Sequence, residues 1–234
     1  MDSLHLACLH LCPSLTDADW AKLNVAAEET ETPSPSWLRQ ADIPAERRSR
    51  LWDEFQAVDQ NAVRQTLEKL NISLLRLNDQ RYPHLLREAV SPPPLIYIRG
   101  NVEAAARGGM AVVGSRRASS YGLWATAHLV APLAQANIPI ISGLAFGIDA
   151  RAHEAALRAS GPTVAVFGCG IDVIYPREHE LLADRILDGG GCLISESPLG
   201  SQPERWRFPR RNRIIAGLAH GVVLVEAAER SGAL

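Results

Sequence analysis

Residues 205–213 combine basic and aromatic side chains in a pattern that suits a nucleic acid. Five arginines and two aromatic residues share nine positions, Arg205-Trp206-Arg207-Phe208-Pro209-Arg210-Arg211-Asn212-Arg213. An arginine guanidinium pairs with phosphate oxygens, and an aromatic ring stacks on an unpaired base. The stretch therefore predicts contact with a single nucleic-acid strand. The alternative is a solvated basic turn in which Trp206 and Phe208 belong to the core, because short basic runs are weak signals on their own.

The position of Pro209 predicts where helical structure begins in this stretch. Proline has a fixed φ near the helical value and is favoured in the first turn, so we expect a helix to follow Pro209. Arg210, Arg211, Asn212 and Arg213 would then lie at a helix N-terminus, which attracts anions. These four residues are therefore candidates for phosphate contact.

Two short loops that follow predicted strands offer a second place for phosphate. In Gly114-Ser115-Arg116-Arg117, glycine permits close backbone approach, the serine hydroxyl can donate a hydrogen bond, and an arginine can pair with the anion. Ser142-Gly143 opens a similar turn. The alternative for the first loop is a strand-to-helix turn with exposed arginines. Both G-x-G-x-x-G and the P-loop G-K-S/T are absent from the sequence, so NAD and ATP chemistry lose support and no cofactor is predicted.

Three further residues raise the question of catalysis. Asp149 and His153 are four apart on one face of a predicted helix, which suits acid/base chemistry, a metal, or a helix cap with the histidine beside it. Glu196 follows another strand, where it could contact a ribose, act as a base, or pair with a nearby arginine. We favour the structural interpretation for all three, so no catalytic residue and no metal site is predicted.

From residue 110 onward, short β-type runs alternate with helical stretches. This alternation is typical of βαβ units and predicts an α/β fold with a doubly wound parallel sheet, in which ligands bind outside the carboxyl ends of the strands. The predicted strands are Met110 to Val113, Ile138 to Ile141, Thr163 to Phe167, Cys192 to Ser195 and Val222 to Val225.

Residues 1–71 show helical patterns instead and predict a separate all-α domain. Thr16-Asp17-Ala18-Asp19 supplies an N-cap for a helix to about Glu28, and further helices are expected over 36–40, 44–58 and 60–70. Residues 72–109 are interpreted as a linker, stiffened by Pro92-Pro93-Pro94, together with an added edge of the sheet. Residues 110–234 would form the second domain.

Composition limits the classes of protein to be considered. The 234 residues carry a formal net charge of −2, so nucleic-acid binding requires a local basic patch. Four cysteines without C-x-x-C spacing indicate a reducing compartment rather than a disulfide framework. The sequence shows no signal-peptide pattern and no run of 18 apolar residues that could span a membrane, so a cytoplasmic protein is expected.

Several motifs occur in a fixed order along residues 72–234. They are Val113-Gly114-Ser115-Arg116, Ser142-Gly143-Leu144-Ala145 with Gly147-Ile148-Asp149 and Ala152-His153, Tyr175-Pro176, Ser195-Glu196, and Phe208-Pro209 through Arg211-Asn212-Arg213-Ile214-Ile215-Ala216-Gly217. In this order the motifs closely resemble the DNA-processing protein A family, also called Smf. The family is one of recombination mediators that bind single-stranded DNA in natural transformation.

The resemblance implies both a fold and a function. It implies a Rossmann-like domain preceded by a small helical domain that is similar to a sterile alpha motif. It also implies that Arg116, Phe208, Arg211 and Arg213 surround a positive pocket for single-stranded DNA. The family hands the strand to RecA, and no catalytic reaction is assigned to it. The sequence leaves open whether a second copy of this chain is a further partner, in a homodimer.

The sequence departs from the family pattern in three places. His179 and Ala219 stand where the family usually has Asn and Ser, and the chain stops at Ser231-Gly232-Ala233-Leu234, where a further strand-to-helix turn is expected. The rival hypothesis is a nucleotide-processing enzyme, because phosphoribohydrolases on a related fold use a Glu and an Arg near the strand ends. The P-G-G-x-G-T turn of those enzymes is absent from this sequence.

Overall fold

Seven strands form one mixed sheet in a computed structural model that describes residues 3–28, 38 and 41–228. The spatial order is β1-β2-β6-β5-β4-β3-β7, with β6, β5, β4, β3 and β7 parallel and with β1 and β2 added antiparallel at one edge. The strands are β1 Ile72–Arg76, β2 Leu95–Gly100, β3 Gly109–Val113, β4 Ile140–Ser142, β5 Thr163–Gly170, β6 Cys192–Ser197 and β7 Ala219–Leu224. The α/β fold with a mostly parallel sheet is therefore confirmed.

The predicted strand positions hold, but several boundaries move. Two boundaries move by three residues: β5 continues to Gly170 rather than ending at Phe167, and β7 begins at Ala219 rather than at Val222. Gly221 interrupts the apolar run of the sequence, yet it pairs with Met110 of β3. Ladder pairing with a neighbour extends a strand beyond its apolar residues, and a single sequence does not show that neighbour.

Ten α-helices accompany the sheet in the described part of the chain. They are α1 Ser3–His10, α2 Asp17–Glu28, α3 Ala45–Ala57, α4 Gln60–Lys69, α5 His84–Arg87, α6 Val102–Ala106, α7 Ser120–Gln135, α8 Ile148–Arg158, α9 Glu180–Asp188 and α10 Arg207–Gly217, with a 3-10 turn at Arg177–His179. Thr16 and Asp19 exchange hydrogen bonds between side chain and backbone at the start of α2, which confirms the predicted cap. The helix expected over 36–40 lies outside the described residues, apart from Leu38.

The N-terminal helices pack directly against the sheet. One cluster of buried side chains contains Leu9 of α1, Leu23 of α2 and Leu51 of α3, together with Leu74 of β1 and Tyr97 of β2. His10 at the end of α1 also bonds the Tyr97 hydroxyl through Nδ1, at 3.0 Å. The helical segment and the sheet thus share apolar core, while the division of the chain at residues 71 and 109 remains a prediction.

The parallel strands bring the sequence motifs to one edge of the sheet. Strands β3, β4, β5 and β6 all point the same way, so the loops that follow them lie side by side. These loops cover residues 114–119, 143–147, 171–176 and 198–206. We call this side of the molecule the carboxyl edge.

Candidate nucleic-acid interface

Helix α10 begins at Arg207, two residues before Pro209, whereas the sequence predicted a helix that follows Pro209. The first N–H groups of a helix have no intrahelical acceptor, so a proline anywhere in the first turn costs no hydrogen bond. The earlier start places Phe208 inside the first turn and Arg211 in the second. The side chains of these two residues then meet different parts of the carboxyl edge.

Arg211 points into the protein, contrary to its predicted contact with phosphate. Its side chain is only 4% exposed, and Nη1 donates to the carbonyl oxygens of Gly143, at 2.8 Å, and Val166. A Cβ atom on Gly143 would lie 2.4 Å from the guanidinium nitrogens, so glycine is required here to admit the arginine. Burial lowers the pKa of Arg211, and the charge of Asp149 opposes that shift. Arg211 and Gly143 therefore fix α10 to the sheet.

Asp149 and His153 are buried and have separate structural partners. Asp149 accepts the backbone N–H groups of Gly143 and Ala145, so it orders the loop after β4 rather than capping α8. The Thr163 hydroxyl donates to a backbone oxygen and accepts from Nδ1 of His153 at 2.7 Å. Burial lowers the pKa of His153 to about 3, so its ring is neutral at pH 7. The geometry favours the structural interpretation of both residues.

Glu196 near the end of β6 forms ion pairs with two arginines of α10. Arg213 donates from Nη2 to Oε2 of Glu196, and Nε of Arg210 lies 3.6 Å from Oε1. A second carboxylate, Asp17 of α2, lies 3.4 Å from Nη2 of Arg210. The structure therefore agrees with the interpretation of Glu196 as a strand-end carboxylate paired with arginine. Asn212 between these arginines is half-buried.

Phe208 is the residue of α10 that faces the carboxyl edge from outside the core. Its half-buried ring lies over Gly168, where a Cβ atom would come within 2.9 Å of the ring. The guanidinium carbon of Arg116 lies 5.3 Å from the ring centroid, and the ring of Tyr175 is 5.6 Å away. The resemblance implied that Arg116 and Phe208 lie together, and the structure places them in contact.

The loop after β3 differs from the predicted phosphate cradle. A carboxylate already occupies the start of α7, because Glu226 accepts hydrogen bonds from the backbone N–H and the hydroxyl of Ser119. Ser115 donates its N–H to the Glu226 carbonyl, and its Oγ accepts from the N–H of Arg117. A Cβ on Gly114 would meet Ile148, so this glycine serves packing. An anion at this helix end would meet the charge of Glu226.

Arg116 and Arg117 nevertheless remain exposed and have no ion pair with any residue that the structure describes. Arg205, just before α10, is exposed and without a described ion pair as well. Ser142, by contrast, is buried and donates its hydroxyl to the carbonyl of Val112 at 2.6 Å. The predicted site residues thus divide into exposed cations and buried supports.

Exposed aromatic side chains lie in the loops of the carboxyl edge and in the first two turns of α7. Among the described residues, every exposed Phe, Tyr and Trp follows one of the parallel strands β3 to β6, namely Tyr121, Trp124, Phe146, Tyr175 and Trp206. Only Trp206 stood out from the sequence as part of a basic stretch. The other four also lie within about 12 residues after a predicted strand end, so their approximate location could be predicted. The sequence did not show that their side chains are exposed, and only exposed rings can stack on a base.

Within the described residues, no group of three or more His, Cys, Asp or Glu side chains is arranged to hold a metal ion. The four cysteines are buried, and none of them forms a disulfide bond. No described helix is both long enough and apolar enough to cross a membrane.

Comparison with known sequences matches most of the chain to one family. The family model described as DNA recombination-mediator protein A covers residues 73–234. Protein Smf of Escherichia coli (strain K12) is 44% identical over 168 residues, which is 72% of this chain and 45% of that protein. DNA processing protein DprA of Streptococcus pneumoniae is 39% identical over 196 residues, or 83% of this chain and 68% of that protein. The chain spans about half the length of the curated relatives it matches.

Two solved structures show the same fold. The X-ray structure of DprA from Streptococcus pneumoniae matches with a TM-score of 0.81 and 32% identity, over 100% of this chain and 81% of that one. The protein from Helicobacter pylori, described as having a unique single-stranded DNA binding mode, matches with a TM-score of 0.62 and 28% identity, over 70% and 73% of the two chains. Sequence and structure together show that this chain belongs to the DNA recombination-mediator protein A family.

Proposed function

We propose that the carboxyl edge binds single-stranded DNA. The observation that carries the proposal is the contact between the exposed guanidinium of Arg116 and the ring of Phe208, with the exposed ring of Tyr175 5.6 Å from the same ring. Arg116, Arg117 and Arg205 would contact phosphates. Phe208, with Tyr175 beside it, would stack on bases.

The arrangement favours a single strand over a duplex. In a duplex the base faces are covered by their neighbours, whereas a single strand can turn its bases toward aromatic rings. The exposed cations come from two segments, the loop after β3 and the residues just before α10, and Arg116 of the first segment lies 5.3 Å from the Phe208 ring centroid, so a strand that stacks on this ring has cations within reach of its backbone. Arg210, Arg211 and Arg213 support this surface, because their side chains are paired with carboxylates or buried.

The biological role that we propose is that of a mediator, without catalysis, that protects incoming DNA and loads RecA during natural transformation. Membership of the recombination-mediator family supports it, and so does the single-stranded DNA binding mode of the Helicobacter pylori neighbour. Such a protein would act in the cytoplasm, and a homodimer would double the length of strand it covers. The residues considered for acid/base work have structural partners, since Glu196 pairs with arginines and Asp149 bonds loop backbone.

Fluorescence anisotropy with a labelled oligo-dT and a blunt duplex tests the binding proposal. We expect a clear preference for oligo-dT and a log affinity that falls with log salt by roughly 0.7 for each phosphate contact. Equal affinity for the duplex, or an affinity that does not change with salt, would contradict the proposal. RecA loading is tested separately by the RecA ATPase rate on a strand coated beforehand with single-strand binding protein, which should rise on adding this protein.

A further inference from the structure

The loop after β4 presents the ring of Phe146 to solvent. This side chain is 44% exposed, whereas Leu144, two residues earlier in the same loop, is fully buried. A single exposed apolar side chain is ordinary on a protein surface and is not by itself evidence for a site. Phe146 differs from such a residue in two respects, because its loop is fixed by hydrogen bonds and packs directly against an exposed arginine.

Hydrogen bonds fix the backbone of the loop on either side of Phe146. Asp149 accepts the N–H of Ala145, and the Ala145 carbonyl accepts an N–H from the first turn of α8 at 3.0 Å. The carbonyl of Leu144 accepts from Nδ1 of His179 at 2.8 Å. A ring on such a loop loses little conformational freedom when it binds a ligand, so the loop is organised for binding in advance.

His179 also holds the Phe146 ring itself. The two ring centroids are 4.8 Å apart and the ring planes are inclined by 64°, which is the edge-to-face arrangement that aromatic pairs favour. The exposed part of the Phe146 side chain remains after this contact and is open to a planar ligand. Backbone and ring are therefore both positioned, and His179 contributes to each.

The loop after β4 lies directly against the backbone of Arg116. Gly147, the residue after Phe146, has a φ of 76°, and a Cβ atom there would collide with the Ser115 carbonyl and lie 2.9 Å from the carbonyl oxygen of Arg116. The Ser115 carbonyl also accepts the first N–H of α8 at 3.2 Å. The guanidinium of the same Arg116 lies over the ring of Phe208. Arg116 thus connects the loop of Phe146 with the ring of Phe208.

An exposed ring beside exposed cations suits a nucleotide better than a peptide. Arg116 and Arg117 are both exposed and can contact phosphates, and Phe146 offers an apolar face. A peptide would need an acidic and an apolar side chain at the right spacing to use both features. Every nucleotide of a single strand brings a phosphate and a planar base together.

We propose that Phe146 is a second base-stacking platform, which holds a different base of the same single strand from the one that stacks on Phe208. Arg116 would contact the strand backbone between the two bases. The platform rests on the proposed function, because it extends the path of the strand beyond Phe208. Stacking on an aromatic ring is tolerant of base identity, so the platform lengthens the bound segment without adding sequence preference.

Fluorescence anisotropy with a labelled oligo-dT measures the contribution of the ring. Phe146→Ala should weaken binding at least fivefold, the change that corresponds to the lower end of about 1 to 3 kcal/mol for one stacked base. Phe146→Tyr keeps a ring and should stay within twofold. Leu129→Ala is the matched control, since it truncates an apolar side chain of α7 that is 47% exposed, and it should also stay within twofold. Circular dichroism verifies that each variant is folded.

A double-mutant cycle with Phe208→Ala tests whether the two rings hold different bases. If they do, the factors by which Phe146→Ala and Phe208→Ala weaken binding should multiply in the double variant. A double variant that binds as well as Phe208→Ala alone would mean that both rings serve one base, and it would overturn the proposal.

The outcomes also separate the second platform from the proposed function. If the unmodified chain binds oligo-dT and folded Phe146→Ala loses less than fivefold, the platform is overturned while the strand-binding function stands. A loss in Phe146→Tyr as large as that in Phe146→Ala would show that the ring is not what binds, and it would also overturn the platform. If the unmodified chain does not bind oligo-dT, the proposed function fails and the platform fails with it.

Discussion

The arginines of the loop after β3 and those of α10 lie around the same edge, yet the structure uses them differently. Arg116 and Arg117 are exposed and have no described ion pair. Arg211 is buried against backbone carbonyls, and Arg213 is paired with Glu196. A guanidinium that already has partners of its own is a poor phosphate ligand, because those bonds must break first. The density of arginine in a sequence therefore locates the edge without identifying which residues bind.

Two glycines show how the difference arises. Gly143 after β4 admits the guanidinium of Arg211, and Gly168 in β5 admits the ring of Phe208. The first contact lies deep in the protein and holds α10 in place. The second lies at the surface and supports a ring that Arg116 contacts on its open side. Loss of the first contact should damage the fold, and loss of the second should damage binding.

The largest expected effect is on folding, from Arg211→Met. The substitution leaves Asp149 buried without its opposing charge and two carbonyls without a donor, so we expect a loss of about 3 to 5 kcal/mol in the free energy of unfolding. Urea denaturation measures it. The exposed control Arg158→Met should change stability by about 0.5 kcal/mol or less. A stable Arg211→Met variant that has lost DNA affinity would instead make Arg211 a direct ligand.

Phe208→Ala should act mainly on binding. If a base stacks on this ring, the variant loses about 1 to 3 kcal/mol of affinity for oligo-dT while the salt slope stays the same. Anisotropy at three salt concentrations measures both quantities, and a melting curve accompanies it. A core role would appear as about 3 to 5 kcal/mol of lost folding stability with unaltered affinity. That result would remove Phe208 from the binding surface.

Acid should lower the free energy of unfolding through the buried residue His153. The folded protein keeps His153 neutral, with a pKa of about 3 against an ordinary 6.5, whereas the unfolded chain takes up a proton below pH 6.5. Its contribution to stability is complete above that pH and is lost as the pH falls toward 3, by up to about 1.4 kcal/mol per pH unit. Urea denaturation between pH 7 and pH 5 should show the loss, and His153→Gln should reduce its slope. An unchanged slope in that variant would contradict this assignment.

Gly168→Ala should have the smallest effect of these substitutions. The added methyl group would come within 2.9 Å of the Phe208 ring and displace it, so affinity for oligo-dT should fall by less than in Phe208→Ala. A double-mutant cycle tests the mechanism, because the methyl group should cost no affinity once the ring is absent. An equal loss in both backgrounds would mean that Gly168 acts independently of Phe208.

The position of the carboxyl edge could be predicted from the sequence because it depends on patterns of neighbouring residues. Strands β3 to β6 follow short apolar runs, and parallel strands place the loops after them on one side. The capping residues Thr16 and Asp19 could be predicted for the same reason, since they are only three residues apart and bond each other.

The role of each residue depended on contacts that are distant in the chain. The carboxylate at the start of α7 comes from Glu226, 107 residues after Ser119, and the acceptors of Arg211 lie 45 and 68 residues before it. No periodicity or motif spacing reveals such pairs. The start of α10 was missed for a different reason, since proline is compatible with several positions of a first turn and its presence does not choose among them.

The salt dependence of oligo-dT binding by Arg116→Ala and Arg213→Ala tests the central claim most directly. Arg116→Ala should reduce the slope of log affinity against log salt by about 0.7, for one lost phosphate contact, and leave the free energy of unfolding unchanged. Arg213→Ala should keep the slope and lower the free energy of unfolding, because Glu196 loses its closest partner. A reduced slope in a fully stable Arg213→Ala variant, with an unaltered slope in Arg116→Ala, would contradict the division between binding and supporting arginines.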